Sequence, residues 1–90
     1  IAIAKASGAL GLGVSSRKIA AMAAERPTFV AALAPLAVDG VVPAAGGVLI
    51  AGSGGGPIGA VGVTGDTSDN DEVCALAGIA AAKLVADTGA

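Results

Sequence analysis

Four carboxylates crowd one stretch of this sequence, Asp66, Asp69, Asp71 and Glu72, with Thr64 and Gly65 just before them and Cys74 just after. Carboxylates at such density suit a hard cation such as calcium or magnesium, but the stretch lacks the glycine-centred calcium loop with its closing glutamate, and no metal site is assigned. Helix capping accounts for the same residues. Asp69 is an N-cap residue, Glu72 three positions on completes a capping box, and Asp66 falls in the preceding turn. Asp71 and Glu72 in the first turn complement the positive helix end. They are also the candidate catalytic residues, since a carboxylate in a dry pocket with a raised pKa works as a general base. Thr64, Gly65 and Cys74 are the candidate cofactor contacts. Cys74 near a helix N-terminus has the position of an activated thiolate, although on an Ala/Leu helix the commoner role is a small core residue.

Other chemistries are excluded or left without support. The chain has no histidine, so it contains no Ser-His-Asp or Cys-His arrangement. Its glycine-rich stretches do not cradle phosphate: Gly11 and Gly13 lead into Ser16 without a third glycine, and the loop Gly52 to Gly56 precedes a strand instead of opening a helix. Five basic residues (Lys5, Arg17, Lys18, Arg26, Lys83) are scattered, the net charge is −2, and there is no Tyr or Trp for base stacking, so a nucleic-acid partner is not expected. Lys5, on an alanine-rich segment, reads as solvated.

Elements must position these groups. Ile1 to Leu12 carries helix formers, with Gly11 and Gly13 ending it. Ser15 and Ser16 are N-cap candidates for a helix over Arg17 to Glu25, and Pro27 suits the first turn of another, in which Phe29, Val30, Leu33 and Leu36 recur at roughly helical spacing. Val41 to Pro43 and Gly47 to Ala51 read as strands, and Pro57 to Gly65 as a further one. In that last strand Ile58, Ala60, Gly62 and Thr64 face one side and Gly59, Val61 and Val63 the other. A strand apolar on both faces belongs at the centre of a sheet or at a subunit interface. The closing helix is expected from Asn70 to about Ala86, with Val73, Leu76, Ala80 and Leu84 on one side and Gly89 as its stop.

Composition sets the bounds. Hydrophobic residues make up 54% of the chain but aromatics only 1%, so the apolar content is small and aliphatic and each side chain buries little area. With 13% charged residues, much of that apolar surface is expected to be covered by another chain. The run from Gly40 to Gly65 is uncharged, but Pro43, Pro57 and its many glycines argue for buried strands and a loop over a membrane span. The N-terminus does not read as a signal peptide, and the single Cys74 fits a reducing, cytoplasmic compartment. Two or three strands are too few for a free-standing sheet apolar on both faces, so further strands are expected from a second polypeptide or from a longer domain.

The residues also carry a resemblance. Ala4-Lys5-Ala6, Ser16-Arg17, Pro27, Val42-Pro43, Gly46-Gly47-Val48-Leu49-Ile50, Ile58 to Gly65, Asp71-Glu72-x-Cys74-Ala75 and Ala77-Gly78-Ile79 resemble the GlcG/HbpS/PduO C-terminal, heme-binding-like family over nearly the whole chain. The resemblance implies an α+β domain, profilin-like, with an antiparallel sheet flanked by helices. It also implies that residues 1–90 form the C-terminal two thirds of one domain, lacking an N-terminal helix and β-hairpin. Heme or another tetrapyrrole or corrinoid is the implied ligand, in a homo- or hetero-oligomer that can include a companion chain supplying the missing third. The family's histidine ligand has no counterpart here; Thr64, Cys74 and Met22 are the remaining contacts for a cofactor. The leading expectation is a non-catalytic binding or accessory module. The alternative is an enzyme for a small organic acid or ketone, holding an oxyanion in the turn and helix N-terminus between Thr64 and Glu72 with Asp71 or Glu72 as base.

Overall fold

The computed structural model describes residues 1–89. Helix formers at Ala2, Ala4, Lys5 and Ala6 start α1 (Ala2–Leu12), which Gly13 closes in the left-handed conformation at φ 74°, its N–H bonded to the Ala9 carbonyl. Ser15 caps α2 (Ser16–Glu25) by accepting from the Lys18 amide, and Pro27 opens α3 (Pro27–Leu33), where its missing N–H costs nothing. A single 3-10 turn (Ala34–Leu36) follows.

Three antiparallel strands then form one sheet in the order β2-β1-β3: β1 (Gly47–Ala51), β2 (Pro57–Gly62) and β3 (Val85–Asp87), with α4 (Ser68–Ala81) between β2 and β3. The fold is α+β. Val48 pairs with Val61, so Val48, Ile50, Val61 and Val63 share one face, against which α4 lays Ala75, Leu76 and Ile79. This is the apolar centre of the molecule, and burying a branched aliphatic such as Val48 or Ile79 contributes roughly 1.5 to 3 kcal/mol.

The opposite face of the sheet carries Gly47 and Gly62, which lie side by side in the ladder. A Cβ at Gly62 would run into the Ala2 carbonyl, and one at Gly47 into the carbonyl of Lys5. Two facing glycines thus let the backbone of α1 sit directly on the sheet. The Ser16 hydroxyl accepts from the Gly47 amide at 2.6 Å and donates to the Gly47 carbonyl at 3.3 Å, which ties the start of α2 to the same point.

Several expectations are corrected. Val41 to Pro43 is not a strand: Pro43 has no N–H to offer a ladder, and the Ala44 amide turns back to the Val42 carbonyl. The strand that starts at Pro57 ends at Gly62, because its neighbour runs out where Gly46 turns away at φ 126°. It is an edge strand of this chain; the centre is β1. The last helix starts earlier and stops at Ala81. Its N-cap is Thr67, whose hydroxyl accepts from the Asn70 amide, and not Asp69. At its other end Lys83 takes a left-handed φ of 62°, the Lys83 amide bonds Ala80 and the Leu84 amide bonds Ile79. That is a Schellman closure, and it turns the chain back so that Val85–Asp87 becomes β3. The inward stripe of α4 is Asp71, Glu72, Ala75 and Ile79; Val73 points outward. No helix among the described residues is long and apolar enough to cross a membrane.

Candidate functional site

The acidic stretch sits where α4 begins, and two cations from the first half of the chain converge on it. Lys5, 2% exposed, is buried and not solvated: α1 lies so close to the sheet that its ammonium donates to the Val63 carbonyl at 2.9 Å and to Asp71 Oδ2 at 3.1 Å. The other oxygen of Asp71 accepts from the Asp66 amide at 3.0 Å. These bonds clamp the turn that carries Thr64, Gly65 and Asp66 between β2 and α4.

Arg17, at the start of α2, meets the same helix from the outside. Its Nε donates to both oxygens of Glu72, at 2.9 and 3.0 Å, and its Nη2 to Asp69. The Asp69 hydrogen bond first, then that of Glu72, raises the Arg17 guanidinium above an already high pKa, so it is a permanent cation. The expected capping box is therefore replaced by an arginine bracket: Asp69 and Glu72 serve Arg17, and Thr67 serves the helix.

The candidates separate in space. Asp71 and Glu72 are adjacent, and all four of their oxygens accept hydrogen bonds from donors of this chain. Thr64 and Gly65 lie in the exposed turn. Cys74 is exposed on the outer side of α4 and is not a core residue. No cluster of three or more metal-ligating side chains occurs among the described residues.

Beside the bracket opens a cleft of about 500 Å³, walled by Ala20 and Ala21 of α2, by Pro43, Ala44 and Ala45, and by Ser68 and Asp69, with Arg17 at its edge. A second, wholly apolar groove of about 250 Å³ runs between α2, α3 and the 41–43 segment, lined by Ala23, Pro27, Val30, Ala31, Ala34, Val41 and Pro43. Sequence reading missed both. The signal available was Pro43 set among small residues opposite the alanine-rich face of α2, but that pattern names no cavity until the helices are placed.

The family described as "Haem degrading protein HbpS-like" matches residues 1–80. The chain belongs to this HbpS-like family. No curated protein and no solved structure matches it.

The clefts fit one part of a heme and not another. Alanine and proline walls suit a flat apolar ring, while Arg17 is already paired with Asp69 and Glu72. Iron ligation is poorly supplied: Met22, Cys74 and Thr64 line neither cleft, Lys5 is committed to Val63 and Asp71, Asp69 at the cleft is paired with Arg17, and the chain contains no histidine.

Proposed function

We propose that this chain is a non-catalytic binding or accessory module for heme or a related tetrapyrrole or corrinoid, working in an oligomer. Membership of the HbpS-like family carries the reading, and the cleft beside Pro43 offers a place for the ligand. The finer assignment, to the GlcG/PduO C-terminal branch and to the C-terminal two thirds of a profilin-like domain, rests on the sequence resemblance alone.

The family description speaks of heme degradation. Our reading for this chain stays with binding, because neither cleft is lined by Met, Cys or His and every oxygen of both acidic candidates already accepts a hydrogen bond within the chain. An axial ligand would come from outside the described residues, on a companion chain or another subunit.

The oligomer is proposed from apolar exposure. Ile1, Ile3 of α1, Val38, Ile58 of β2 and Val73 of α4 are all more than half exposed. Such surface on so small a chain is a partner-sized liability if left bare. Titrating the native particle with hemin while recording the Soret band tests the function. A saturable shift supports it, and the absence of saturable binding overturns it.

A further inference from the structure

We infer that the open edge of β2 pairs with the β2 edge of a second copy of this chain, antiparallel and two-fold about Ala60; this rests on the oligomer proposed above and names its contact. The backbone of β2 alternates. Gly59, Val61 and Val63 turn their N–H and C=O groups toward β1, a pattern set by the Val63 amide, which donates to the Gly46 carbonyl at 2.9 Å. Gly47, opposite Gly62, gives both of its backbone groups to the Ser16 hydroxyl, as the same alternation requires. Ile58, Ala60 and Gly62 therefore turn their groups outward, where the described residues offer no backbone partner.

The two edges of the sheet are built differently. β3 is three residues long and carries Asp87, and both features discourage pairing. β2 is six residues long, uncharged, and has proline only at its first position, so nothing blunts it. Setting Ala60 against the partner's Ala60 places Ile58 opposite the partner's Gly62. All three outward residues then meet outward residues, with about six backbone hydrogen bonds between the copies. Ile58, 68% exposed, falls beside a residue with no side chain to obstruct it. A register shifted by one residue would call on groups that β1 already holds. No charged residue lies between Gly40 and Gly65, so the contact brings no like charges together. The chain exposes 4889 Å², against roughly 4500 Å² for a compact monomer of its mass. A surplus of that size is what a contact at the small end of the interface range removes from each chain. The pairing is isologous, so it closes on itself and consumes the edge in a six-stranded sheet ordered β3-β1-β2-β2-β1-β3.

The test reads particle mass by light scattering and captures the contact covalently. Ala60→Pro removes an outward N–H and leaves the ladder with β1 intact, so the fold persists by circular dichroism while the dimer weakens by at least about tenfold. In a Cys74→Ser background, which removes the exposed native thiol, Ala60→Cys sets two introduced thiols opposite each other. Their Cα atoms lie about 5.5 Å apart, within disulfide reach. Mild oxidation then joins the two copies at concentrations where Ser53→Cys, in the exposed hairpin loop, does not. Should Ala60→Pro not fold, the cross-link decides the same question. A monomeric parent, a particle whose mass Ala60→Pro leaves unchanged, or introduced thiols that fail to join overturns the pairing. Hemin titration of the parent keeps the two readings apart: a dimer that binds no hemin supports the pairing and removes the binding role, whereas a monomer that binds hemin removes the pairing alone.

Discussion

Lys5 shows how a side chain's environment is set by backbone that the side chain does not touch in sequence. On an alanine-rich helix it reads as solvated; in the fold it is buried because Gly47 and Gly62 let α1 settle onto the sheet. Lys5→Met leaves Asp71 buried without its cation and is expected to cost about 3 to 5 kcal/mol, read from the urea midpoint. The double substitution Lys5→Met with Asp71→Leu recovers most of that loss, since a buried pair replaced by apolar groups of similar volume is close to neutral. If the double variant is as unstable as the single one, the pair is more than a charge-compensated contact. Glu72→Gln keeps the shape of the Arg17 bracket but removes one charge; it lowers the melting temperature modestly and leaves hemin binding intact. Loss of a measured turnover in folded Glu72→Gln would instead favour the enzymatic alternative. The acidic cluster was legible as a functional-looking patch and as a helix start. Its partners were not, because Lys5 and Arg17 lie more than fifty residues away and only the packing of α1 and α2 brings them there.

At the scale of elements, local signals carried the helices and the strand Gly47–Ala51, while long-range contacts set the end of the Pro57 strand and the existence of the third. Gly13, Ser15 and Pro27 mark boundaries by their own backbone chemistry, and the structure uses each as expected. The end of α4 was misread because its left-handed closing residue is Lys83, where glycine is the usual signal. A lysine there is strained, so Lys83→Gly is expected to raise stability by about 0.5 to 1 kcal/mol in thermal or urea unfolding. A destabilising result would mean that the closure does not limit the helix. The strand it releases, Val85–Asp87, has three residues and no pattern of its own; its identity comes from pairing with Leu49–Ala51. Gly62→Ala would push α1 off the sheet and is expected to cost about 3 kcal/mol or more, whereas Gly54→Ala, in open space in the hairpin loop, is nearly silent.

For the whole molecule, composition proved a better guide than any motif. A chain rich in small aliphatics has little large-residue core, and the fold accordingly shows one modest centre around Val48, Ala75 and Ile79 with large aliphatics left outside. The reading of Pro57 to Gly65 as a strand apolar on both faces, central in its sheet or at a subunit interface, was right about its character; the strand ends at Gly62 and is not central in this chain but an edge, where pairing with a further strand is open. The proposed assembly predicts that residues 1–90 run as a particle larger than their own 8.2 kDa, alone or together with a companion chain. Light scattering that returns a stable monomer would remove the oligomer from the account. Family membership, read from the glycine and acidic positions, was legible without coordinates. The cleft was not, because its walls come from α2, the 43–45 segment and the start of α4.

The most direct test of the account is a hemin titration of the parent protein and Ala21→Trp side by side, followed at the Soret band. Ala21 is an exposed residue of α2 on the wall of the cleft, and a tryptophan there fills the proposed seat without disturbing the core. A saturable Soret shift is expected for the parent, lost or strongly weakened in the variant while the fold persists by circular dichroism. Saturable binding of equal strength in both proteins, or none in the parent, would contradict it.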